Sequence, residues 1–118
     1  MIEGVVEQHL VKRVEELGGL CFKFTPQGKN GYPDRLIILP GGSISFAELK
    51  RPANTPRALQ FKRMSELQKM GCDVWWADTI GKVDVNIERL LAGVGQAEKF
   101  ADKVPVCTIG DIQRFNYP

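Results

Sequence analysis

The sequence predicts a single α/β domain in which helices flank a mixed sheet, with the element order α-β-β-β-α-β and a helical C-terminal tail. An apolar stripe at helical spacing opens the chain, and three short runs rich in β-forming residues follow it. A second helical stretch then precedes a fourth β-rich run, an order that favours a parallel crossover. The length of 118 residues suits one domain. We expect its core at about 3–92 and a C-terminal extension at 93–118.

The first helix is expected over Ile2 to Leu17, followed by a strand over Leu20 to Phe24. Apolar residues recur every three or four positions along the helix and form one stripe: Val6, Leu10, Val14 and Leu17. The Gly18-Gly19 pair ends that helix, because glycine is the usual residue just past a helix C-terminus.

A β-hairpin is expected next. Arg35 to Leu39 is an almost continuous run of Leu and Ile, which is typical of a strand buried on both faces. The short Pro40-Gly41-Gly42 turn joins it to a second strand, Ser43 to Leu49. By the two-residue period of a strand, Glu48 and Lys50 lie on the same face.

The second half of the chain predicts a helix over about 57–70, with Thr55 as its N-cap and Pro56 at its first position. A strand over Asp73 to Ala77 and a short helix over Asp84 to Leu91 follow. The tail shows a helical stretch near Gln96 to Lys103.

Composition excludes several classes of protein. The net charge of +2 permits a nucleic-acid partner without requiring one. Three widely spaced cysteines and one histidine make a Cys/His zinc site an unfavourable interpretation and point to a reducing compartment, with Cys21 and Cys72 as buried thiols. Neither a signal peptide nor an apolar run of membrane-spanning length is evident, so we expect a cytoplasmic protein with no membrane partner.

Two acids and a lysine stand at the ends of the predicted hairpin strands. Asp34 begins the first strand and Glu48 ends the second, so the hairpin brings them together. Neighbouring carboxylates repel one another unless a cation lies between them, and Mg²⁺ prefers such hard oxygen ligands. Lys50 is placed to hold a water molecule and to neutralise phosphate charge. The alternative is a turn-capping Asp and an exposed Glu-Lys pair.

These residues occur in the stretch "GYPDRLIILPGGSISFAELKRP", followed by "LQ". The pattern resembles the PD-(D/E)xK nuclease superfamily and, more narrowly, its VRR-NUC family of virus-type replication-repair nucleases. The similarity covers roughly Glu7 to Asp78. It implies a restriction-endonuclease-like core and a Mg²⁺- or Mn²⁺-dependent nuclease that hydrolyses DNA phosphodiester bonds, expected to be structure-specific for branched or Holliday-junction-like DNA in replication, repair or recombination.

The resemblance also implies a role for each matching residue. Asp34 and Glu48 would bind the metal with their carboxylates, and the backbone carbonyl of Leu49 would complete the shell. Lys50 would orient the attacking water, Glu7 would reach the metal from the first helix, and Gln60 would support the site. From the residues alone, an acid such as Glu7 at the border of an apolar face is more often a surface residue than a ligand, and Glu3 is a competing candidate. For Gln60 the alternative is a buried helix cap.

Seven of the sixteen basic residues lie in or beside the segments that form the proposed site, which suits contacts with phosphates. Those expected to bind the DNA backbone are Arg51, Arg57, Lys62, Arg63, Lys29 and Arg35. Family members that stand alone tend to be homodimers, and the resemblance extends that expectation to this chain. His9 is interpreted as a surface residue.

Three hypotheses therefore follow from the sequence. The first is a metal-dependent deoxyribonuclease. The second is a non-catalytic DNA-binding or assembly module that retains the nuclease fold. The third is a structural protein with a chance motif, which requires Asp34 and Glu48 to lie far apart.

Overall fold

The computed structural model describes residues 4–93, which form three helices and four strands. The helices are α1 (Val5–Glu16), α2 (Ala58–Lys69) and α3 (Ile80–Ala92). The strands are β1 (Leu20–Lys23), β2 (Arg35–Leu39), β3 (Ser43–Leu49) and β4 (Asp73–Ala77). The predicted α-β-β-β-α-β order is confirmed, and the helical stretch expected near Gln96 to Lys103 lies outside the described residues.

The strands form one mixed sheet in the order β1-β2-β3-β4. The first two pairings are antiparallel, and β3 pairs with β4 in parallel through the crossover helix α2. Leu39 pairs with Ser43 across the predicted turn, in which Gly41 and Gly42 have φ angles of 96° and 92°. Glycine adopts this left-handed conformation without steric cost, so the turn can be short and the register of the hairpin is fixed.

One face of the sheet carries the main hydrophobic core. Strand side chains such as Ile37, Leu39 and Ala47 pack there against α1 and α3. The predicted stripe of α1 supplies three fully or almost fully buried residues: Val6, Leu10 and Val14. Each position fits the spacing rule, because residues three or four apart share one face of a helix.

The second face of the sheet is covered by α2 over its β3–β4 half, where Gln60 contacts Glu48 and Phe61 contacts Trp76. Residues along β2 alternate between buried and half-buried. The expectation that β2 is buried on both faces is therefore wrong, because its second face is only partly covered. Trp75 lies in the core and Trp76 is half-buried, which agrees with their alternation along β4.

Two helix starts differ from expectation. Helix α2 begins at Ala58 with Arg57 as its N-cap, so Thr55 and Pro56 belong to the preceding loop. Helix α3 begins at Ile80, four residues before the expected start, because the Thr79 side chain accepts a hydrogen bond from the Lys82 backbone and caps it. Threonine is a favoured N-cap residue, so Thr79 carries a local signal for this earlier start.

Other side chains also lie in surroundings that were not expected. His9 is half-buried and its Nε2 atom lies 2.7 Å from Asp84 Oδ1, so it links α1 to α3 instead of standing free on the surface. Cys21 and Cys72 are free thiols and only half-buried. Within residues 4–93, every helix is too short or too polar to cross a bilayer.

Candidate active site

A tight loop brings Asp34 to the sheet. Gly31 has a φ of 84°, and a Cβ atom at this position would lie 2.7 Å from Leu59 of α2. Only glycine fits both the backbone conformation and this close approach. The Asp34 backbone carbonyl then accepts a hydrogen bond of 2.8 Å from Phe24, which extends the pairing of β1 with β2. Gly31, three residues before Asp34, therefore lets the loop pack against the second helix.

The structure brings Asp34 and Glu48 together, as the hairpin predicted. Asp34 Oδ2 accepts a hydrogen bond of 3.2 Å from the Leu49 backbone N–H, immediately after Glu48. Burial, together with the charge of Glu7, raises the pKa of Asp34, although the bond from Leu49 opposes the rise. Burial raises the pKa of Glu48 to about 7, and the negative charge of Asp34 adds to the effect. Without a bound cation, both acids therefore lose their protons less readily than ordinary carboxyl groups do.

Glu48 is only 1% exposed, and its two carboxylate oxygens have different surroundings. Oε1 accepts a hydrogen bond of 2.8 Å from Gln60 Nε2 and lies 3.5 Å from Lys50 Nζ. Oε2 is buried without a hydrogen-bond partner among the residues the structure describes. A buried carboxylate oxygen without a partner is energetically unfavourable. One direction around Glu48 is thus left for a further donor or a cation.

Gln60 is buried and is fixed at both ends of its amide. Its Oε1 atom accepts a hydrogen bond of 2.8 Å from the Arg57 backbone N–H, and its Nε2 donates to Glu48. The amide therefore closes the first turn of α2 and orients the acid in the same position. The bond with Arg57 corresponds to the interpretation of Gln60 as a helix cap. The bond with Glu48 is the contact through which Gln60 would support the site.

Glu7 reaches the site from α1 and is paired with Arg35. The distance from Arg35 Nε to Glu7 Oε2 is 3.1 Å, and the two side chains are 6% and 13% exposed. Arg35 therefore lies inside the domain, where its guanidinium pairs with an acid. Its contact with DNA stays a prediction, and its burial leaves it less accessible to a ligand than an exposed cation such as Arg51.

Among residues 4–93, no three Asp, Glu, His or Cys side chains are grouped closely enough to hold a metal ion by themselves. Glu7, the third acid near the site, is paired with Arg35. What remains is a pair of acids, Asp34 and Glu48. Mg²⁺ is commonly held by one or two carboxylates while it keeps several waters, so a pair of acids is a suitable ligand set.

An open cavity of about 450 Å³ lies beside Asp34. Its lining includes five of the predicted site residues: Glu7, Asp34, Leu49, Lys50 and Arg51. Lys23 of β1 and Asn54 line it as well, whereas Glu48 is not among the lining residues. Asn54 lies in a loop next to Ala53, which has a φ of 69°, and no local pattern in the sequence marked Asn54 as part of the site.

The remaining expected DNA-binding residues lie at different depths. Four of them are exposed: Lys29, Arg51, Arg57 and Lys62. Of these four, Arg51 lines the cavity. Arg63 is half-buried, because its Nε donates to the Asn30 carbonyl at 2.9 Å and its guanidinium lies 4.9 Å from the centre of the Tyr32 ring. Arg63 therefore ties the Asp34 loop to α2, and it is less available to a ligand than the other four.

Comparison with known proteins shows similarity to a phage protein and to a solved structure. The chain is 40% identical over 72 residues to the protein named "Putative nuclease p44" of Acyrthosiphon pisum secondary endosymbiont phage 1, a match that covers 61% of this chain and 77% of the relative. A solved structure described as a VRR_NUC domain superposes with a TM-score of 0.67 at 38% identity, covering 70% of this chain and 90% of that structure. No family model matched the sequence.

Proposed function

Because the chain belongs to the VRR-NUC family of nucleases, we propose that it is a deoxyribonuclease that hydrolyses phosphodiester bonds with Mg²⁺ or Mn²⁺ at the Asp34–Glu48–Lys50 site. The observation that carries the proposal is the unpartnered buried Oε2 atom of Glu48, next to a second acid of raised pKa. A buried acid pair of this kind is most stable with a cation beside it.

The residues present suit a hard divalent cation. Asp34 and Glu48 would bind it with carboxylate oxygens, and the Leu49 backbone carbonyl would contribute from the cavity wall. Glu7, which lines the same cavity and is paired with Arg35, would join directly or through water. When bound, the cation supplies Lewis-acid chemistry, because it lowers the pKa of a water molecule and screens the charge of a phosphate.

Lys50 is the positive group of the site, 19% exposed and directed at Glu48. Its ammonium can donate to an attacking water or to a non-bridging phosphate oxygen, where negative charge develops in the transition state. Gln60 acts through Glu48, because it holds the carboxylate in one orientation by a bond of 2.8 Å. Arg35 likewise acts through Glu7.

The substrate proposed is DNA, recognised mainly by its backbone and shape. Exposed cations suit phosphate contacts, and we assign this role first to Arg51, which lines the cavity, and to Arg57, then to Lys62 and Lys29. Branched or Holliday-junction-like DNA and a homodimer with two sites remain part of the proposal, as does a role in replication, repair or recombination. The phage origin of one relative favours the cytoplasm of an infected bacterial cell as the place of action.

The test is a cleavage assay on linear, flapped and four-way DNA with Mg²⁺, Mn²⁺ or EDTA. We expect metal-dependent cleavage of at least one of these DNAs by the wild type. Lys50→Ala and Glu48→Ala should each abolish it while the circular dichroism spectrum stays unchanged. Arg89→Ala is the matched control, because Arg89 pairs with Asp73 in an exposed ion pair away from the cavity.

Binding of DNA without cleavage by the wild type in either metal would contradict the proposal. Salt-sensitive binding that is indifferent to metal and to Asp34→Ala would favour the alternative, a non-catalytic DNA-binding or assembly module.

A further inference from the structure

The cavity beside Asp34 lies at the end of the sheet where β1 and β3 finish and β2 begins. Both strands run antiparallel to β2, so Lys23 at the end of β1 and Leu49 at the end of β3 lie on opposite sides of β2. Two backbone N–H groups tie Asp34 to these strand ends. Phe24 donates to its carbonyl at 2.8 Å, and Leu49 donates to its carboxylate at 3.2 Å. Asp34 is therefore flanked by β1 on one side and by β3 on the other.

Positively charged residues line this cavity from both strand ends. Lys50 and Arg51 directly follow β3, whereas Lys23 is the last residue of β1. Adjacent strands lie about 4.8 Å apart, so β1 and β3, which are separated by β2, lie about 10 Å apart. That spacing exceeds the size of one phosphate group. The two sides of the cavity are therefore suited to different phosphates of a DNA strand.

The side of the cavity next to β3 is held by backbone hydrogen bonds. Lys50 N–H donates to the Ala77 carbonyl at 2.9 Å, and Asn54 N–H donates to the Arg51 carbonyl at 3.0 Å. Arg51 and Asn54 are exposed and line the cavity, and both side chains can donate to phosphate oxygens. This side can therefore hold a phosphate, and the β1 side needs a donor of its own to hold another.

The acids of the cavity offer a competing role for Lys23. Glu7 and Asp34 line the same cavity, and a lysine near acids can serve only to offset their charge. Glu7, however, already has a cation in Arg35 at 3.1 Å. Arg35 is buried, whereas Lys23 is exposed. An exposed lysine that lines a cavity is placed to meet a charged ligand that enters it.

We propose that Lys23 binds a DNA phosphate next to the one that is cut, on the side of Asp34 opposite Arg51 and Asn54. The inference rests on the proposed nuclease function of this cavity. A DNA strand would cross the cavity from Lys23 to Arg51, so that a phosphate is held on each side of the scissile bond. Lys23 is thus a binding residue, and it is not a ligand of the cation.

DNA binding by the full chain tests this contact without requiring cleavage. The measurement is fluorescence anisotropy of labelled four-way DNA, with Ca²⁺ in place of Mg²⁺. Lys23→Ala should weaken binding at least about threefold and reduce the slope of log affinity against log salt by about 1, because one phosphate contact is lost. Lys23→Arg should keep both values, since it keeps the charge. The matched control is Lys12→Ala, because Lys12 is 77% exposed on α1 and does not line the cavity.

A neutral methylphosphonate, placed in turn at each position beside the cut, identifies the phosphate that Lys23 binds. At one position it should slow cleavage by the wild type at least about threefold. Lys23→Ala should cleave that modified DNA as fast as it cleaves unmodified DNA, because the contact is already lost.

Unchanged affinity and salt slope in Lys23→Ala would overturn the proposal, as would an equal loss in Lys12→Ala. A weaker affinity of Lys23→Ala for Mn²⁺, with DNA binding unchanged, would also overturn it and assign Lys23 to the acids of the cavity. Failure of the nuclease function gives a different result. The wild type would then cleave no DNA with Mg²⁺ or Mn²⁺, while the loss of DNA binding in Lys23→Ala would still support the contact.

Discussion

Carboxylates in two regions of this domain have pKa shifts of opposite direction. In the candidate site, burial raises the pKa of both Asp34 and Glu48. Away from the site, a hydrogen bond from His9, supported by Arg13, lowers the pKa of Asp84. Burial alone would raise the pKa of Asp73, but hydrogen bonds from Arg89 and Ser45 outweigh it and lower the pKa.

The difference lies in what the fold provides to each acid. Asp73 is held by two nitrogens of Arg89 at 2.6 and 3.1 Å, so its charge is neutralised within the chain. Glu48 has one lysine at 3.5 Å and a neutral amide, which do not outweigh its burial and the charge of Asp34. The contrast supports the proposal that the site acids bind a cation from outside the chain.

The largest expected effect is the loss of cleavage when a site acid is removed, compared with removal of an acid outside the site. Asp34→Asn should lower the cleavage rate at least about 100-fold, because it removes a proposed metal ligand. Asp73→Asn should leave the rate within about threefold and lower the melting temperature instead, because it leaves Arg89 without its partner. Single-turnover cleavage and thermal unfolding measure both effects, and equal loss of cleavage in both variants would contradict the comparison.

The pH dependence of stability without metal should separate the two regions next. A pKa raised from 4.5 to about 7 means that folded Glu48 holds its proton more tightly than unfolded Glu48. The contribution of Glu48 to the free energy of unfolding is therefore fully present below about pH 4.5. It is lost as the pH rises through about 7, which lowers the free energy of unfolding by up to about 3 kcal/mol.

Glu48→Gln should therefore be more stable than the wild type at pH 8 in EDTA and lose that advantage at pH 4.5, as measured by urea unfolding. Asp73→Asn should instead be less stable than the wild type by a constant amount between pH 4.5 and 8, because a lowered pKa contributes stability that is lost only as the pH falls below the ordinary value of 3.8. The same pH slope in wild type and Glu48→Gln would show that Glu48 is not the group that titrates.

Arg35 offers a sharper test within the site. Arg35→Met should destabilise the domain by about 2 kcal/mol, because Glu7 loses its partner in a largely buried position. It should lower the cleavage rate without changing DNA affinity or its salt dependence, whereas Arg51→Ala should weaken DNA binding and reduce the salt slope. A change in the salt slope of Arg35→Met would return Arg35 to the DNA-binding residues.

The smallest expected effect concerns the loop that carries Asp34. Gly31→Ala and Gly28→Ala both place a side chain at positive φ, 84° and 73°, but only Gly31 also faces Leu59 at 2.7 Å. Gly31→Ala should therefore be less stable than Gly28→Ala by about 1 kcal/mol or more, in urea unfolding. Equal stability would mean that the close packing of the loop against α2 does not hold Asp34 in place.

The meeting of Asp34 with Glu48 was readable from sequence because a hairpin is a local structure. A tight Pro-Gly-Gly turn fixes which residues oppose one another, and the two-residue period then places Lys50 with Glu48. The start of α2 was misjudged because Pro56 and Thr55 carry the usual signals for a helix start, while the observed start is held by Gln60 and Arg57.

Contacts between distant segments were not readable. Alternation along β2 places Arg35 on the face of Ile37 and Leu39, but its partner Glu7 is 28 residues away on another element. The Leu- and Ile-rich run of β2 predicted two buried faces, and no local pattern shows which segment would cover the second. Both errors concern tertiary packing, which strand and helix periods do not encode.

Binding of Mn²⁺ at pH 8, measured by isothermal titration calorimetry, tests the central claim most directly. The account predicts binding by the wild type that weakens at least about tenfold in Glu48→Gln and stays unchanged in Asp73→Asn. Equal affinity in the wild type and Glu48→Gln, or loss of binding in Asp73→Asn alone, would contradict the assignment of the site acids to an external cation.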